Sequence, residues 1–374
     1  MHIKVNKNTF VKVLGRVYRI VDRRHIAMIL GNLLLEASDN KIILKATDLE
    51  IEIIEEMEAV CLQPGSITLP AYLLYDLIKR LPNESEISIK LDDNGDLVHI
   101  SAGRLFYDLK SLPAKDFPAL EFGNWSHKFV IPRQDFKRLL SRTFQAMANE
   151  ETRFSLNGIN MSVRDKAPGE KVLEFAATDV RRLAIDAIPA PEGSEQIDDV
   201  IIPRKAVHEL QKMLNEDLCE NVIVKLSESK ISFDFGSVSL RSKLIDGRFP
   251  SYDDIIPTQS NDILRVPRDE FISMVTSVSV VASDNARALI FNVSEDNLKL
   301  SMESLTADRA EADIICQYSG EDLEMGLNAR YLIDEASQFV NEDLLFEFNT
   351  DRGLCIMRDG DSKYLIYLLM CMNY

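Results

Sequence analysis

Ile3-Lys4-Val5-Asn6-Lys7-Asn8-Thr9-Phe10, followed by a helical run to about Val21, is the stretch from which the chain can be read. An apolar residue meets Asn or Pro, three residues pass, and an apolar residue begins a helix. The figure returns five times: Leu69-Pro70 with Leu74, Ile131-Pro132 with Phe136, Ile202-Pro203 with Val207, Val266-Pro267 with Phe271, and Leu327-Asn328 with Leu332. The six Asn or Pro positions lie 61 to 71 residues apart, and self-similarity of that kind marks a repeat architecture. In each copy a strand ends and a helix starts. Pro can open a helix because its missing N–H is not needed there and its φ is already helical; Asn can cap one by accepting from an orphan amide.

The odd copies match each other more closely: Asn6-Lys7-x-Thr9-Phe10, Pro132-Arg133-x-Asp135-Phe136 and Pro267-Arg268-x-Glu270-Phe271. Six units therefore pair into three modules. Alternating apolar runs between the helices predict three strands per unit, such as Leu33 to Glu36, Lys41 to Ala46 and Leu49 to Ile54. The expected class is α+β: three tandem domains, each made of two strand-helix-three-strand repeats. Two Pro-containing linkers, Leu112 to Pro118 and Leu244 to Pro257, set the expected domains at 1–125, 126–258 and 259–374.

Length agrees, since 374 residues exceed one ordinary core. No apolar run reaches the roughly 18 residues of a membrane span, and the N-terminus has no secretory apolar region. Five scattered cysteines without CxxC spacing read as reduced thiols in a cytoplasmic protein, with neither a disulfide frame nor a metal site.

The net charge of −17 argues against a polyanion partner, but the sum hides an asymmetry. Residues 1–25 hold Lys4, Lys7, Lys12, Arg16, Arg19, Arg23 and Arg24 against the single acid Asp22. On the first helix Phe10, Leu14, Val17 and Val21 form an apolar stripe, while Lys12, Arg16, Arg19 and Arg23 share another face. Lys137 and Arg138 lie on the third helix, and Arg204 and Lys205 begin the fourth. For one helix such a face is ordinary solvation. Six equivalent helices could instead line a common surface that attracts nucleic acid while the acidic body repels it.

Catalytic signatures are missing: no phosphate-binding glycine loop, no metalloprotease motif and no nucleophile elbow occur. Asp48 in Ala46-Thr47-Asp48-Leu49 and Asp179 in Ala177-Thr178-Asp179-Val180 are repeat-related. A hydrolase reading would use them as an acid–base pair. The plainer reading is that each Thr-Asp caps the same tight turn before a strand.

Taken together, Ile29 to Leu35, Thr47 to Glu50, Arg153 to Gly158, Ala177 to Ala184, Val200 to Lys205 and Ser242 to Pro250 resemble the bacterial sliding clamps, the β subunits of the replicative DNA polymerase. The resemblance covers the whole chain. It implies a non-enzymatic processivity ring without cofactors: two chains joined head to tail, helices lining a hole for double-stranded DNA, and antiparallel sheets outside. Phosphate contacts in such a ring are sequence-independent and salt-sensitive.

By position, the resemblance implies DNA contacts at Arg24, Asn149, Arg204 and Lys205, beside the helix cations Lys12, Arg16, Arg23, Lys137 and Arg138. Tyr72 stands where a cation would be expected. The resemblance also implies a hydrophobic pocket for short linear peptides of the polymerase, the clamp loader and repair proteins. Its matching positions are Arg153, Leu156, Thr178, Arg181, Arg182, Leu183, Pro250, Ile255, Asn328, Tyr331, Leu368, Met370 and Met372. The tail Met370-Cys371-Met372-Asn373-Tyr374 departs from the family's pattern, so an altered motif preference is expected. A chain–chain interface is implied at Tyr107 and Leu109 on one copy and Val280 and Val281 on the other. A protein-only repeat scaffold is the alternative.

Overall fold

The fold was analysed on a computed structural model that describes residues 1–24, 26–118, 120, 123–149, 153–256, 263–282, 288–304, 307–358, 360 and 362–372. The first module runs β1 (His2–Asn6), α1 (Lys7–Val17), β2 (Asn32–Ser38), β3 (Lys41–Thr47), β4 (Ile51–Glu58), β5 (Val60–Gln63), β6 (Gly65–Pro70), α2 (Ala71–Arg80), β7 (Glu86–Leu91), β8 (Leu97–Ala102) and β9 (Leu105–Lys110). The second runs β10 (His127–Pro132), α3 (Arg133–Phe144), β11 (Gly158–Ala167), β12 (Glu170–Thr178), β13 (Arg182–Pro189), β14 (Val200–Pro203), α4 (Arg204–Leu214), β15 (Asn221–Leu226), β16 (Lys230–Asp234) and β17 (Val238–Lys243). The third runs β18 (Ile263–Pro267), α5 (Arg268–Val278), β19 (Ala288–Ser294), β20 (Asn297–Glu303), β21 (Arg309–Ile315), β22 (Leu323–Asn328), α6 (Ala329–Ala336), β23 (Asp343–Asn349), β24 (Leu354–Arg358) and β25 (Ile366–Met370).

The repeat rests on recurring contacts. Phe10, Phe136 and Phe271, the first apolar residues of the odd helices, are all fully buried, as are Leu14, Val17 and Val21 below Phe10. The first amide of each odd helix donates to a carbonyl just ahead of a later strand: Lys7 to Ser85 (2.9 Å), Arg133 to Glu220 (2.9 Å) and Arg268 to Glu342 (2.7 Å). Those bonds satisfy helix-end donors that would otherwise be orphaned. Asn6 and Asn328 cap α1 and α6, each side-chain oxygen accepting from two helix amides. Pro70 and Pro267 stand one position earlier than a helix-opening Pro would. Each is the last residue of its strand and the cap, with extended ψ of 116° and 123°. β6 and β18 are sheet edges, where a missing N–H costs no ladder bond.

The chain divides into two compact units, 1–134 with 208–244 and 135–207 with 245–374, so the middle module contributes to both. The first unit holds a five-stranded sheet, β5-β1-β7-β8-β9, and an eight-stranded sheet, β10-β15-β16-β17-β4-β3-β2-β6. The second holds an eight-stranded sheet, β14-β11-β12-β13-β25-β24-β23-β18, and a four-stranded sheet, β21-β20-β19-β22. Each eight-stranded sheet passes from one module into another through an antiparallel joint, β17 on β4 or β25 on β13.

Some expectations shift. α1 stops at Val17 and continues as a 3₁₀ turn, Tyr18–Ile20. β5, an edge strand with mostly exposed side chains, carries no alternation and was not anticipated. The expected boundary at 258/259 lies outside the described residues, as do Asn373 and Tyr374.

Candidate docking pocket and cationic helices

The hairpin turn between β12 and β13 builds the first wall of the site. Thr178 Oγ1 donates to the Arg182 carbonyl (2.6 Å) and accepts from Val180 N (3.0 Å). Asp179 Oδ1 accepts from Arg181 N (2.9 Å) and Arg182 N (3.0 Å). The turn between β3 and β4 repeats this bond for bond, with Thr47 on Ile51 O and Leu49 N, and Asp48 on Glu50 N and Ile51 N. Asp48 and Asp179 therefore serve their own turns, as side chains of this type do. Both turns force a branched side chain to positive φ, 78° at Leu49 and 81° at Val180. That strain is uncommon for such residues and tends to accompany functional sites. Val180 is half-exposed.

Arg182 is the buried organiser, only 8% exposed. Its Nε bonds Asp179 Oδ2 (3.2 Å), a terminal nitrogen bonds the Gln145 carbonyl, and another lies 3.5 Å from Asp334. Its guanidinium stacks 3.9 Å from the centroid of Tyr331. The start of α6 supplies Asn328 and Tyr331, and the tail closes the site. Met370 N donates to Arg181 O (2.9 Å), Cys371 N to Gly353 O (2.9 Å) and Met372 N to Gly326 O (2.8 Å).

Two depressions result. One, about 320 Å³, is lined by Arg181, Asn328, Tyr331, Met370, Cys371 and Met372. The other, about 330 Å³, is lined by Ala148, Asn149, Arg153, Asp179, Val180, Arg181 and Tyr331. They share Arg181 and Tyr331, and a more polar hollow of about 450 Å³ adds Gln145, Arg182, Arg204, Arg330 and Asp334. The methionines offer a deformable apolar slot. Burial pushes the Cys371 thiol up, which keeps it protonated. Burial and the nearby Asp179 raise the Tyr331 phenol.

Of the expected pocket residues, Arg153, Arg181, Arg182, Asn328, Tyr331, Met370 and Met372 come together. Leu183 and Leu368 sit instead in a core cluster with Tyr252 and Ile356, and Leu156 is also buried. Thr178 is engaged in its turn. Pro250 and Ile255 are exposed and line none of the three hollows. Asn149 and Arg204, read from sequence as DNA contacts, open into the pocket region. Arg204 also donates to Met147 O (3.2 Å) and lies over the Phe144 ring.

Among the cations, Lys12, Arg23, Arg24, Lys137 and Lys205 are exposed. Arg23 lies 4.6 Å over the Tyr72 ring, whose hydroxyl donates to Val21 O (2.9 Å), so Tyr72 holds a neighbouring cation in place. Arg16 and Arg138 behave differently. Arg16 binds buried Glu55 through Nε (2.9 Å) and Glu216 through Nη1 (2.7 Å). Arg138 and Arg142 share the fully buried Asp186. Their charge is neutralised locally, and sequence spacing could not show it because Glu55, Asp186 and Glu216 are all far off in sequence. At the implied interface, Leu109 is buried, Tyr107 half-buried, Val281 half-buried and Val280 exposed; Phe106 beside them is 76% exposed and was not anticipated.

Three family models match the chain in order: the DNA polymerase III β subunit N-terminal domain over residues 1–121, its central domain over 130–251 and its C-terminal domain over 253–373. The β sliding clamp of Caulobacter vibrioides is 34% identical over 370 residues, covering 99% of both chains. That of Escherichia coli K12 is 31% identical over 375 residues, covering both chains fully. Among solved structures, a sliding clamp from Bartonella birtlesii bound to griselimycin is 38% identical, with a TM-score of 0.96 over all of both chains. One from Pseudomonas aeruginosa, also bound to griselimycin, is 30% identical with a TM-score of 0.93 over all of both chains.

Proposed function

The chain belongs to the family of bacterial β sliding clamps, non-catalytic processivity factors of DNA polymerase III, and from that premise we propose that it encircles double-stranded DNA as a head-to-tail homodimer in the cytoplasm. The three domains of each copy, 1–125, 126–258 and 259–374, turn their helices to the hole. Lys12, Arg23, Arg24, Lys137 and Lys205 attract phosphates without reading sequence; Arg16 and Arg138 act mainly through buried carboxylates. Topology then retains the ring while weak contacts let it slide.

The polymerase, the clamp loader and repair proteins dock short linear peptides in the paired hollows around Arg181 and Tyr331. The observation that carries the docking reading is the convergence of the β12–β13 turn, the α6 start and the tail residues Met370 to Met372 on two adjoining hollows that share Arg181 and Tyr331, the one beside the methionines being apolar. Among the described residues, no helix is long and apolar enough to cross a membrane.

The test of encirclement is topological. The protein is loaded on nicked circular DNA by a clamp loader with ATP, and the DNA is then linearised. Retention on the circle and loss from the linear form support the ring. Retention on the linear form, or failure to load, overturns it and leaves the protein-only scaffold.

A further inference from the structure

Three tyrosines meet where α1 passes into its 3₁₀ turn and packs beside α2. The Tyr18 ring stacks on Tyr75 at 4.1 Å between centroids and meets Tyr72 edge-on at 5.3 Å. All three side chains are half-buried, so each keeps part of its surface in solvent. Cations lie over two of the rings: Arg23 is 4.6 Å from the Tyr72 centroid and Lys79 is 5.5 Å from that of Tyr75. Across α1, the turn after it and α2, the exposed cations Lys12, Arg19, Arg23, Arg24, Lys79 and Arg80 outnumber the exposed acids Asp22 and Asp76. The Tyr72 hydroxyl donates to Val21 O (2.9 Å), which ties the ring to the loop that follows; in that loop Ile26 is fully exposed and Met28 is 75% exposed.

The fold does not need this cluster. α5 packs on α6 as α1 packs on α2, and the buried Phe271 and Leu332 repeat Phe10 and Leu74. Yet the places of Tyr18, Tyr72 and Tyr75 are held there by Ser279, Arg330 and Ile333, and in the second module by Phe144, Lys205 and His208. A helix pair of this kind is therefore built without the tyrosines, and gathering three of them among cations in one module alone asks for another cause.

We infer that this face of the first module binds unpaired nucleotides of single-stranded DNA, with bases stacking on the tyrosine rings and the surrounding lysines and arginines taking the phosphates. Half-exposed aromatic rings on a basic surface suit a single strand, because every base has a π-face and every linkage a charge. A duplex presents the same phosphates but keeps its bases stacked inside, so it would use the cations and leave the rings idle. Arg23 and Lys79 cover ring faces in the free protein; an arriving base would take such a face while the cation turned to a phosphate. Ile26 and Met28 add an apolar border beside Arg23 and Arg24. The inference goes beyond the ring reading and does not rest on it, since all of these residues lie in one module of one copy.

Fluorescence polarisation on the full chain tests it with three probes of about 20 nucleotides or base pairs: oligo-dT, an abasic strand of the same charge, and a duplex. The wild type should bind oligo-dT at least about fivefold more tightly than the abasic strand, the effect of one stacked base. Equal binding, or no binding of oligo-dT, overturns the inference. Tyr72→Arg with Tyr75→Ile writes the third module's residues into the first, adding a cation while removing two rings. It should weaken oligo-dT at least about fivefold without weakening the duplex. Affinity for oligo-dT that holds or rises would mean that charge alone recruits the strand, and overturns it too. If that variant fails to fold, the abasic comparison on the wild type still decides. Displacement of oligo-dT by a clamp-binding peptide would put the strand in the docking hollows and would also sink the inference. None of these assays needs a loader or a closed ring, so failure here leaves the ring reading standing, and failure of the linearisation test leaves this inference standing.

Discussion

At the joint of β17 on β4, Lys243 and Glu50 face each other across a 2.9 Å ion pair; at the joint of β25 on β13, Met370 and Arg181 hold the same two positions. The backbone is the same at both. The first joint is closed by its own charges. At the second, Arg181 has no ion pair among the described residues and Met370 is 46% exposed, so the position offers an apolar surface beside an available cation. Below them, Ile51 at the first joint is replaced by Arg182 at the second, and Arg182 gathers Asp179, Asp334 and Tyr331. On the proposed reading, side-chain replacement on an unchanged frame turns a structural joint into a docking site.

The largest effect is expected from Arg182→Ala. It leaves Asp179 without the Arg182 pair, Asp334 with only Arg330 at 4.0 Å, and Tyr331 without its stacking partner. Removing one member of a buried ionic group costs about 3 to 5 kcal/mol. Denaturant unfolding should show a loss in that range; a loss below about 1 kcal/mol would mean that Arg182 does not organise the site. Next in size is the double change Met370→Lys with Arg181→Glu, which copies the first joint onto the second. Fluorescence polarisation with a clamp-binding peptide should show affinity reduced by at least about tenfold, the effect of one anchor position, with the melting temperature near wild type. Unchanged affinity would place the peptide elsewhere.

The repeat was legible because each module must solve the same strand-to-helix problem, and Asn or Pro at one spacing records the solution. α4 falls on Arg204–Leu214 as its spacing implies. The fates of Arg16 and Arg138 were not legible. Glu55 and Asp186, which capture them, occupy equivalent strand positions far off in sequence. In the third module Ala312 stands at that strand position, and Ser277 stands where Arg16 and Arg142 are, so cation and acid are absent together. Leu183 and Leu368 misled for another reason. β13 is buried on both faces, which removes the alternation that separates core from surface. The pocket itself joins segments from four places in the chain, and no local pattern records that.

A subtler difference between the joints is Glu335, whose place in the repeat is held by Leu210 on α4 and Leu77 on α2. Its carboxyl is buried, neither oxygen has a hydrogen-bond partner among the described residues, and burial pushes its pKa well above the usual carboxylate range. Arg182 opposes that shift without cancelling it. A raised folded-state pKa gives stability that is full below the unfolded value and is lost as pH rises toward the folded one. Glu335→Leu should therefore stabilise the chain more at pH 8 than at pH 5 by thermal melting. A gain that shrinks as pH rises would contradict the buried neutral acid.

The smallest effect is expected at the charges that close the first joint. Glu50 and Lys243 are both substantially exposed, and such pairs contribute about 0 to 1 kcal/mol in water. If the joint is held by its backbone ladder and the Ile51 and Leu240 core beneath, Glu50→Ala should change unfolding free energy by no more than about 0.5 kcal/mol. The small change should also fade as salt is added, since exposed charges are screened. A salt-insensitive loss above about 1 kcal/mol would show that side chains, and not the common frame, hold that joint. The second joint could not then have given up the same pair without a compensating contact, and Arg182 would be the first residue to examine for it.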